Sequence, residues 1–396
     1  MSWPVVSFGG VAQFINGDRG KNYPSKGSFV DEGIPFINAG NLSLVHTIYA
    51  DALNYITEDK FNSLNSGKIE KGDILFCLRG SLGKFALVDS DMKGAIASSL
   101  VIIRVNEKIN IDYLKHYLGS FLCEREIQLY ENGAAQPNLS ATDLKTFQIP
   151  LPPLEEQKRI AAILDKADAI RQKRKQAIDL ADEFLRSVFL DMFGDPVTNP
   201  KGWEVKEIDQ VCTEIVDCVN RTAPSVDYET PYKMIRTTNV RNHRIDISSV
   251  RYVEKDVYEK WVRRLIPEVG DVIFTREAPA GEAGIINFND SVFLGQRTMH
   301  FRPDYEKITS TFILYELMAS GVQQQIARLS AGSTVTHLSV PECKKFKIRL
   351  PSIENQKKFT EIVNKVERSK NSLLVSLDQS VELFHSLSQK TFSGQL

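Results

Sequence analysis

Hydrophobic positions along the chain follow two different periods, and the change between them marks the first structural boundary. Over roughly the first 150 residues the apolar residues form short alternating or β-branched runs separated by glycine, a pattern typical of β-strands. This pattern predicts strands at 34–37, 73–78 and 100–105, with short helices between strands, as at 113–130.

From residue 151 onwards the pattern changes to a helical period. Proline suits the first helical turn, and Pro152 and Pro153 stand at the predicted start. Apolar residues then follow at steps of three and four, apart from a skip at Arg174: Ile160, Ile163, Ala167, Ile170, Ala177, Ala181, Phe184 and Val188. Such a seam is typical of helices that pack along their length. The predicted helix ends at Gly194-Asp195-Pro196, and its ~38 residues would span roughly 57 Å.

The two halves of the chain match each other at an offset of about 199 residues. The matching pairs include Trp3 with Trp203, Gly72-Asp73 with Gly270-Asp271, Leu139-Ser140 with Leu338-Ser339, Leu151-Pro152 with Leu350-Pro351, and Gln157 with Gln356. So many collinear matches indicate an internal duplication. The second copy therefore has predicted strands at 232–235, 271–275 and 299–301 and a helical stretch at 311–329. Its helical seam runs through Phe359, Ile362, Val363, Val366, Leu373, Leu377, Leu383, Phe384 and Leu387.

These patterns predict an α+β fold in which two similar domains are each followed by a long helix. The predicted segments are a first domain at 1–150, a central helix at 151–196, a second domain at 197–349 and a C-terminal helix at 350–396. A chain of 396 residues also exceeds the roughly 250 to 300 residues at which single cores stop growing. Two domains fixed at the ends of such a helix cannot share one core.

The composition is that of an ordinary globular protein, with 42% hydrophobic and 25% charged residues. The N-terminus has no leader pattern, and no run approaches the ~20 apolar residues that cross a bilayer. We therefore expect a cytoplasmic protein without membrane contact. Five scattered cysteines without metal-ligand spacing are expected to be buried free thiols.

The charge balance argues against a simple nucleic-acid-binding protein, because the formal net charge is −1 and such domains are usually strongly basic. Charge is, however, unevenly distributed. The segment 231–264 carries nine basic and four acidic residues, so a balanced total can hide a basic face.

No catalytic motif is present in the sequence. It lacks the phosphate-binding G-x-x-x-x-G-K-[ST] loop and an Asn-Pro-Pro-aromatic tetrapeptide of the kind that grips a flipped adenine, and its six histidines are isolated from obvious nucleophiles. The carboxylates and lysine at 303–307 superficially resemble a Mg²⁺ site, but a turn between strands explains them better. We predict no catalytic residue, no metal and no cofactor.

Matching polar loops follow the Gly-Asp strand of each copy, at 79–84 and 276–281. Glycine lets a backbone approach a ligand closely, and arginine can bind guanine or phosphate through two hydrogen bonds; a β-turn with a solvated arginine would look the same. The candidate DNA-binding residues in these loops and at other equivalent places are Arg79, Ser81, Lys84, Asn38, Asn41, Gln136 and Asn138 in the first copy, and Arg236, Thr237, Asn239, Arg276, Arg297, Thr334, Thr336 and His337 in the second. Different side chains on a shared frame fit two domains that read different base sequences, although drift of surface loops would look alike.

The basic run 171–175 is either a solvated helix face or a contact to phosphates or to an acidic partner.

The segments 151–160 (LPPLEEQKRI) and 189–196 (FLDMFGDP), together with the duplicated layout, resemble the specificity subunit of type I restriction-modification enzymes. The resemblance covers the whole chain, although the second copy lacks the Asp-Pro stop. It implies that the two helices pair antiparallel and that the protein is a non-catalytic subunit binding double-stranded DNA. Each target-recognition domain would read one half of a bipartite target. Two methyltransferase subunits would bind along the helices, and restriction-translocase subunits would complete the enzyme.

Two other functions remain open from the sequence alone. One is a stand-alone DNA-binding regulator of the same fold. The other is an enzyme whose motif is not recognisable.

Overall fold

The computed structural model describes residues 3–130, 138–219, 221–330 and 337–395. Within it, contacts divide the chain into two compact units. The first unit consists of Met1–Lys175 with Val375–Leu396, and the second of Gln176–Leu374. Each unit therefore combines one mixed α+β region with parts of both long helices. The four segments expected from the sequence stay a prediction.

The first unit is built around a four-stranded antiparallel sheet. Its strands, in spatial order, are Ala12–Asn16, Leu100–Val105, Ile74–Cys77 and Phe85–Leu87. Both faces of this sheet are covered, because Phe76 and Val101 belong to one buried cluster and Leu75 and Ile102 to another. A strand buried on both faces is apolar at every position, which explains the continuous apolar run at 74–77.

A second sheet, a two-stranded ladder and four shorter helices complete the α+β region of the first unit. The sheet has the order Phe29–Val30, Asn54–Ile56, Ile34–Ile37 and Ala95–Ile96, and a separate ladder joins Val5–Ser7 to Gln148–Pro150. The shorter helices are Glu58–Ser63, Ile111–Leu118, Phe121–Gln128 and Ala141–Thr146. The predicted helical stretch at 113–130 is thus two helices, which are separated at Gly119 and Ser120. The predicted strands are confirmed.

The second unit repeats this plan. Its four-stranded sheet has the order Cys212–Asp217, Thr298–Pro303, Val272–Arg276 and Ala280–Ile285. Its other ladders contain Arg251–Tyr252, Tyr232–Ile235 and Ser291–Leu294, then Val240–Arg241 with Arg244–Ile245, and Glu204–Glu207 with Lys347–Leu350. Its shorter helices are Lys255–Trp261, Ser310–Met318, Ser320–Leu329 and Val340–Lys344.

The two long helices, Leu154–Phe193 and Ile353–Phe392, have 40 residues each. In the first unit, Ile160 and Leu164 near the start of the central helix pack in one core with Phe392 at the end of the C-terminal helix. In the second unit, Phe189 near the end of the central helix packs with Phe359 near the start of the other, their ring centroids 5.4 Å apart. The start of each helix thus lies beside the end of the other, and the predicted antiparallel pairing is confirmed.

The predicted helical seam is only partly buried. Ile170, Phe184 and Leu383 were expected in it, but they are 50%, 52% and 57% exposed. The deeply buried positions lie near the helix ends, where the side chains also contact the α+β regions. Between these places two helices can cover only part of each other's surface, so several apolar residues remain in contact with solvent.

One glutamine fixes the start of each long helix to its α+β region. Gln157 Oε1 accepts a hydrogen bond from Asn110 N at 2.7 Å, and its Nε2 donates to the carbonyls of Lys108 and Pro152. Gln356 makes the same three bonds, accepting from Thr309 N at 2.9 Å and donating to two carbonyls. Both side chains are almost fully buried. The matched glutamines Gln157 and Gln356 therefore have a structural role at the joint.

Candidate nucleic-acid interface

In the first unit, three chain segments meet at the end of the strand Ile74–Cys77. Leu78 N donates to Ser99 O at 2.9 Å, and Leu139 N donates to Leu78 O at 3.1 Å. Beside this junction Arg79 Nε donates to Asn138 Oδ1 at 2.8 Å. Both residues are exposed, so the paired side chains present hydrogen-bonding groups to solvent from a rigid frame.

The second unit has the same junction with different side chains. Arg276 N donates to Arg297 O at 2.8 Å, and Leu338 N donates to Arg276 O at 3.0 Å. The carboxylate of Glu277 lies 3.0 Å from His337 Nδ1 and 3.3 Å from Arg297 Nε. Arg297 and His337 are exposed, whereas Glu277 is mostly covered, with 16% of its side chain accessible.

These backbone hydrogen bonds correct the alignment of the two polar loops. Leu78 and Arg276 occupy the same position in the junction, so Arg79 corresponds to Glu277, not to Arg276. In the same way Asn138 corresponds to His337. Glu277 was missed among the candidate residues because the two loops were matched by their arginines, although the ungapped match of Gly72-Asp73 with Gly270-Asp271 already places Arg79 opposite Glu277.

Arg276 itself is half-buried. Its Nη1 donates to Leu338 O at 3.1 Å, while its buried Nε has no partner among the described residues. The guanidinium therefore links the end of its strand to the segment that contains Leu338. In the first unit the buried side chain of Leu78 occupies the equivalent position.

The remaining candidates of the first unit divide into exposed and structural groups. On the 79–84 loop Ser81 is exposed and Lys84 half-buried. Asn38 is half-buried and caps a short turn by accepting from Gly40 N at 2.8 Å. Asn41 is 2% exposed and donates to Ala52 O at 2.7 Å, so its amide already has a partner within the fold. Gln136 lies outside the described residues.

The equivalent turn of the second unit is also held by its own side chains. Asn239 is 1% exposed and accepts from Arg236 N at 3.0 Å, and Thr237 is buried beside it. Burial, with a smaller effect of the nearby Arg251 charge, lowers the pKa of Arg236, whose Nη2 donates to Ser249 O. Thr334 and Thr336 lie outside the described residues.

Most of the basic residues at 231–264 have acidic or carbonyl partners. Lys233 pairs with Asp290, Arg244 with Glu367, Lys255 with Glu259, Lys260 with Asp256 and Arg264 with Asp217. Arg241 donates to Thr237 O. This segment therefore does not form a uniform basic face, because most of its basic side chains are in ion pairs or hydrogen bonds. A few of them, such as Arg263, have no such partner among the described residues.

The basic run at 171–175 is partly structural. Arg171 pairs with Asp168 and lies 4.9 Å above the Phe384 ring, and Arg174 donates to Ser376 O at 2.9 Å. Only Lys173 and Lys175 of its basic side chains are exposed.

Among the described residues, no group of three or more histidine, cysteine, aspartate or glutamate side chains could hold a metal ion. The five cysteines are unpaired, and burial raises the pKa of Cys212 and of Cys343 to about 12. In the same ranges, no helix is long and apolar enough to cross a membrane.

The geometry defines a protein with duplicated α+β regions, each presenting a polar junction and joined to an antiparallel helix pair. A family model for the type I restriction modification DNA specificity domain matches residues 2–180 and 200–383. The chain therefore belongs to this family.

Individual relatives agree with this assignment. The chain is similar to the type I restriction enzyme MjaVIII specificity subunit of Methanocaldococcus jannaschii, with 25% identity over 92% of this chain and 86% of that protein. It is also similar to the EcoBI specificity subunit of Escherichia coli, with 21% identity over 100% of this chain and 86% of the relative. A solved type I restriction-modification S subunit from M. genitalium shares the fold, with a TM-score of 0.58, 14% identity and coverage of 99% and 96% of the two chains.

Proposed function

We propose that this chain is the non-catalytic DNA-specificity subunit of a type I restriction-modification enzyme and reads a bipartite target, one half-site in each unit. The observation that carries the proposal is the paired junction: one hydrogen-bonded frame carries Arg79 with Asn138 in one unit and Glu277 with His337 in the other. Duplicated frames with different exposed polar groups suit two recognition surfaces of different sequence preference. Family membership supports the same function.

The two junctions are suited to different bases. Arg79 is a donor that can bind the O6 and N7 acceptors of guanine, and Asn138 can bind adenine. Arg297 offers the same donors in the second unit, but there Glu277 adds an acceptor suited to the amino group of cytosine. We therefore assign direct base contact to the exposed candidates. Asn41, Thr237, Asn239 and Arg276 act by holding the frame.

The proposed partners are double-stranded DNA, two methyltransferase subunits and the restriction-translocase subunits. The helices are the proposed methyltransferase-binding surface, because large apolar side chains remain exposed on them. These side chains are Ile170, Leu180, Phe184, Leu190, Val375 and Leu383. A stable protein interface commonly has such an apolar centre. No cofactor is assigned to this chain, and flipping of the target base falls to the methyltransferase.

The decisive experiment co-expresses the chain with its methyltransferase subunit and maps the methylated sites in a host genome. We expect one asymmetric motif made of two short blocks with a fixed gap. Arg79→Ala should relax the block read by the first unit only. Lys108→Ala, a change of an exposed lysine in the turn after the strand Leu100–Val105 and away from the junction at Ser99, serves as the control and should leave the motif unchanged.

Two outcomes would favour the alternatives. Tight binding of one bipartite site without recruitment of any methyltransferase would identify a stand-alone DNA-binding regulator. Methylation or cleavage of DNA by the purified chain alone, given Mg²⁺, ATP and S-adenosylmethionine, would identify an enzyme.

A further inference from the structure

A cleft of about 750 Å³ lies in the second unit, beside the helix Lys255–Trp261. Its walls come from the segment around Arg221 and Pro224 and from the end of that helix with the residues after it. The charged lining residues are Arg221, Lys260, Arg263 and Arg264 against one carboxylate, Asp256. Trp261, which is half-buried, adds an aromatic wall.

The cleft retains positive charge after its ion pairs are formed. Lys260 is bound to Asp256 at 2.9 Å and Arg264 to Asp217 at 2.5 Å. The exposed side chains of Arg221 and Arg263 have no acidic or hydrogen-bonding partner within the described ranges. Two free guanidinium groups therefore face one cleft, in a chain whose net charge is only −1.

The cleft adjoins the candidate base-reading junction. Thr222, next to Arg221, donates from Oγ1 to Gln296 Oε1 at 3.3 Å. Gln296 precedes Arg297, which lies 3.3 Å from Glu277 in the junction. A duplex that places a base edge at Arg297 therefore brings its neighbouring backbone towards the cleft.

The first unit lacks the helix residues that line this cleft. Counted from the equivalent N-cap residues Thr57 and Glu254, Ser63 and Leu64 occupy the positions of Lys260 and Trp261. The Ser63 carbonyl accepts a hydrogen bond from Asn22 Nδ2 at 2.7 Å, which joins the loop to the helix. Lys260 and Trp261 are thus individual features of the second unit, whereas the corresponding loop of the first unit also carries exposed basic residues, Arg19 and Lys21.

We infer that this cleft binds the phosphodiester backbone of the DNA beside the second half-site, through Arg221 and Arg263, independently of base sequence. The inference rests on the proposed function, because it takes the bound duplex as given. Arginine is suited to this role, since its planar guanidinium donates two hydrogen bonds to phosphate. Phosphate contacts of this kind position a protein on DNA without reading the bases.

The test measures binding of the full chain, in complex with its methyltransferase subunits, to a fluorescent random-sequence duplex over a range of salt concentrations. The double variant Arg221→Gln, Arg263→Gln should lower the slope of log affinity against log salt by about two, because each lost phosphate contact removes roughly 0.9 from it. It should weaken binding to target and random duplexes by the same factor. The matched control, Lys345→Gln with Lys357→Gln, removes two exposed lysines outside the cleft and should leave the slope nearly unchanged.

Each contrary result has a distinct meaning. An unchanged slope in the arginine variant, or an equal fall in the lysine variant, would overturn the cleft assignment while leaving the proposed function intact. A loss confined to the target duplex would mean that these arginines contact bases. Failure of the unaltered chain to bind any duplex even in complex with its methyltransferase subunits would instead contradict the proposed function itself.

Discussion

Glu277 Oε2 lies 3.0 Å from His337 Nδ1 in the second unit. A carboxylate can only accept hydrogen bonds, so the imidazole must donate from this nitrogen. The same carboxylate lies 3.3 Å from Arg297 Nε. One largely covered acidic group thus orients two exposed side chains, where the first unit has the exposed pair Arg79 and Asn138.

Glu277→Gln should change base preference in the second half-site only. The amide keeps the shape but loses the charge that holds Arg297, so discrimination at one or two base positions should fall by about 1 to 3 kcal/mol. The measurement is competition binding with duplexes that carry single-base changes in each half-site. An equal loss over both half-sites would contradict the assignment of Glu277 to one recognition surface.

Arg79→Ala and Arg276→Ala should have opposite signatures. Arg79 is exposed and bonds to another exposed side chain, so its loss should reduce first half-site discrimination with little change in melting temperature. Arg276 bonds to the Leu338 carbonyl within the fold. Its loss should lower the free energy of unfolding by about 1.5 to 3 kcal/mol, the range for a hydrogen bond to a charged group.

Thermal unfolding and half-site competition binding, run on both variants, separate these effects. A fall in melting temperature for Arg79→Ala with unchanged DNA discrimination would contradict the role given to Arg79. It would mean that this arginine stabilises the fold instead of contacting bases.

Much of the fold was predictable because its causes are local. The runs at 34–37 and 100–105 are strands because short apolar runs rich in β-branched and aromatic residues favour a buried strand over a helix. The offset of about 199 residues revealed the duplication. The junction was only half predictable. The polar residues were recognisable as a group, and the ungapped match of Gly72-Asp73 with Gly270-Asp271 already places Arg79 opposite Glu277. The partners of these side chains were not predictable, because Asn138 and His337 are distant in sequence and are brought to the junction by the long-range bonds from Leu139 N and Leu338 N.

Gln157→Ala should destabilise the joint between the central helix and the first α+β region. It leaves the Asn110 N–H and two carbonyls without their partner, and each buried unsatisfied group costs about 1 to 3 kcal/mol. Chemical denaturation should show an unfolding free energy lower by roughly 2 to 4 kcal/mol. The matched control is Gln176→Ala, on an exposed position of the same helix, which should change it by less than about 0.5 kcal/mol. Equal effects of the two variants would refute the structural role of Gln157.

His300 should make the second unit sensitive to mild acid. The imidazole is completely buried, with neither nitrogen bonded to any described residue, and burial lowers its pKa to about 4 although the Asp271 carboxylate 4.0 Å away opposes the shift. The unfolded chain binds this proton near pH 6.5. Between pH 4 and 6.5 the unfolded state binds more protons than the folded state. The free energy of unfolding therefore has its full value above pH 6.5 and decreases as the pH falls towards 4, by up to roughly 3 kcal/mol.

His300→Ile should remove this acid sensitivity, because isoleucine occupies the equivalent position of the first unit. There Ile102 pairs with Leu75 in the sheet, as His300 pairs with Ile273 in the second unit. Urea unfolding at pH 8, 6 and 5 measures the effect. We expect the variant to match or exceed the unaltered chain at pH 8 and to lose less stability on acidification, with the difference growing from pH 6 to pH 5. Parallel pH profiles for the two proteins would show that His300 is not responsible, and would direct attention to His46 and His243, whose pKa values burial also lowers.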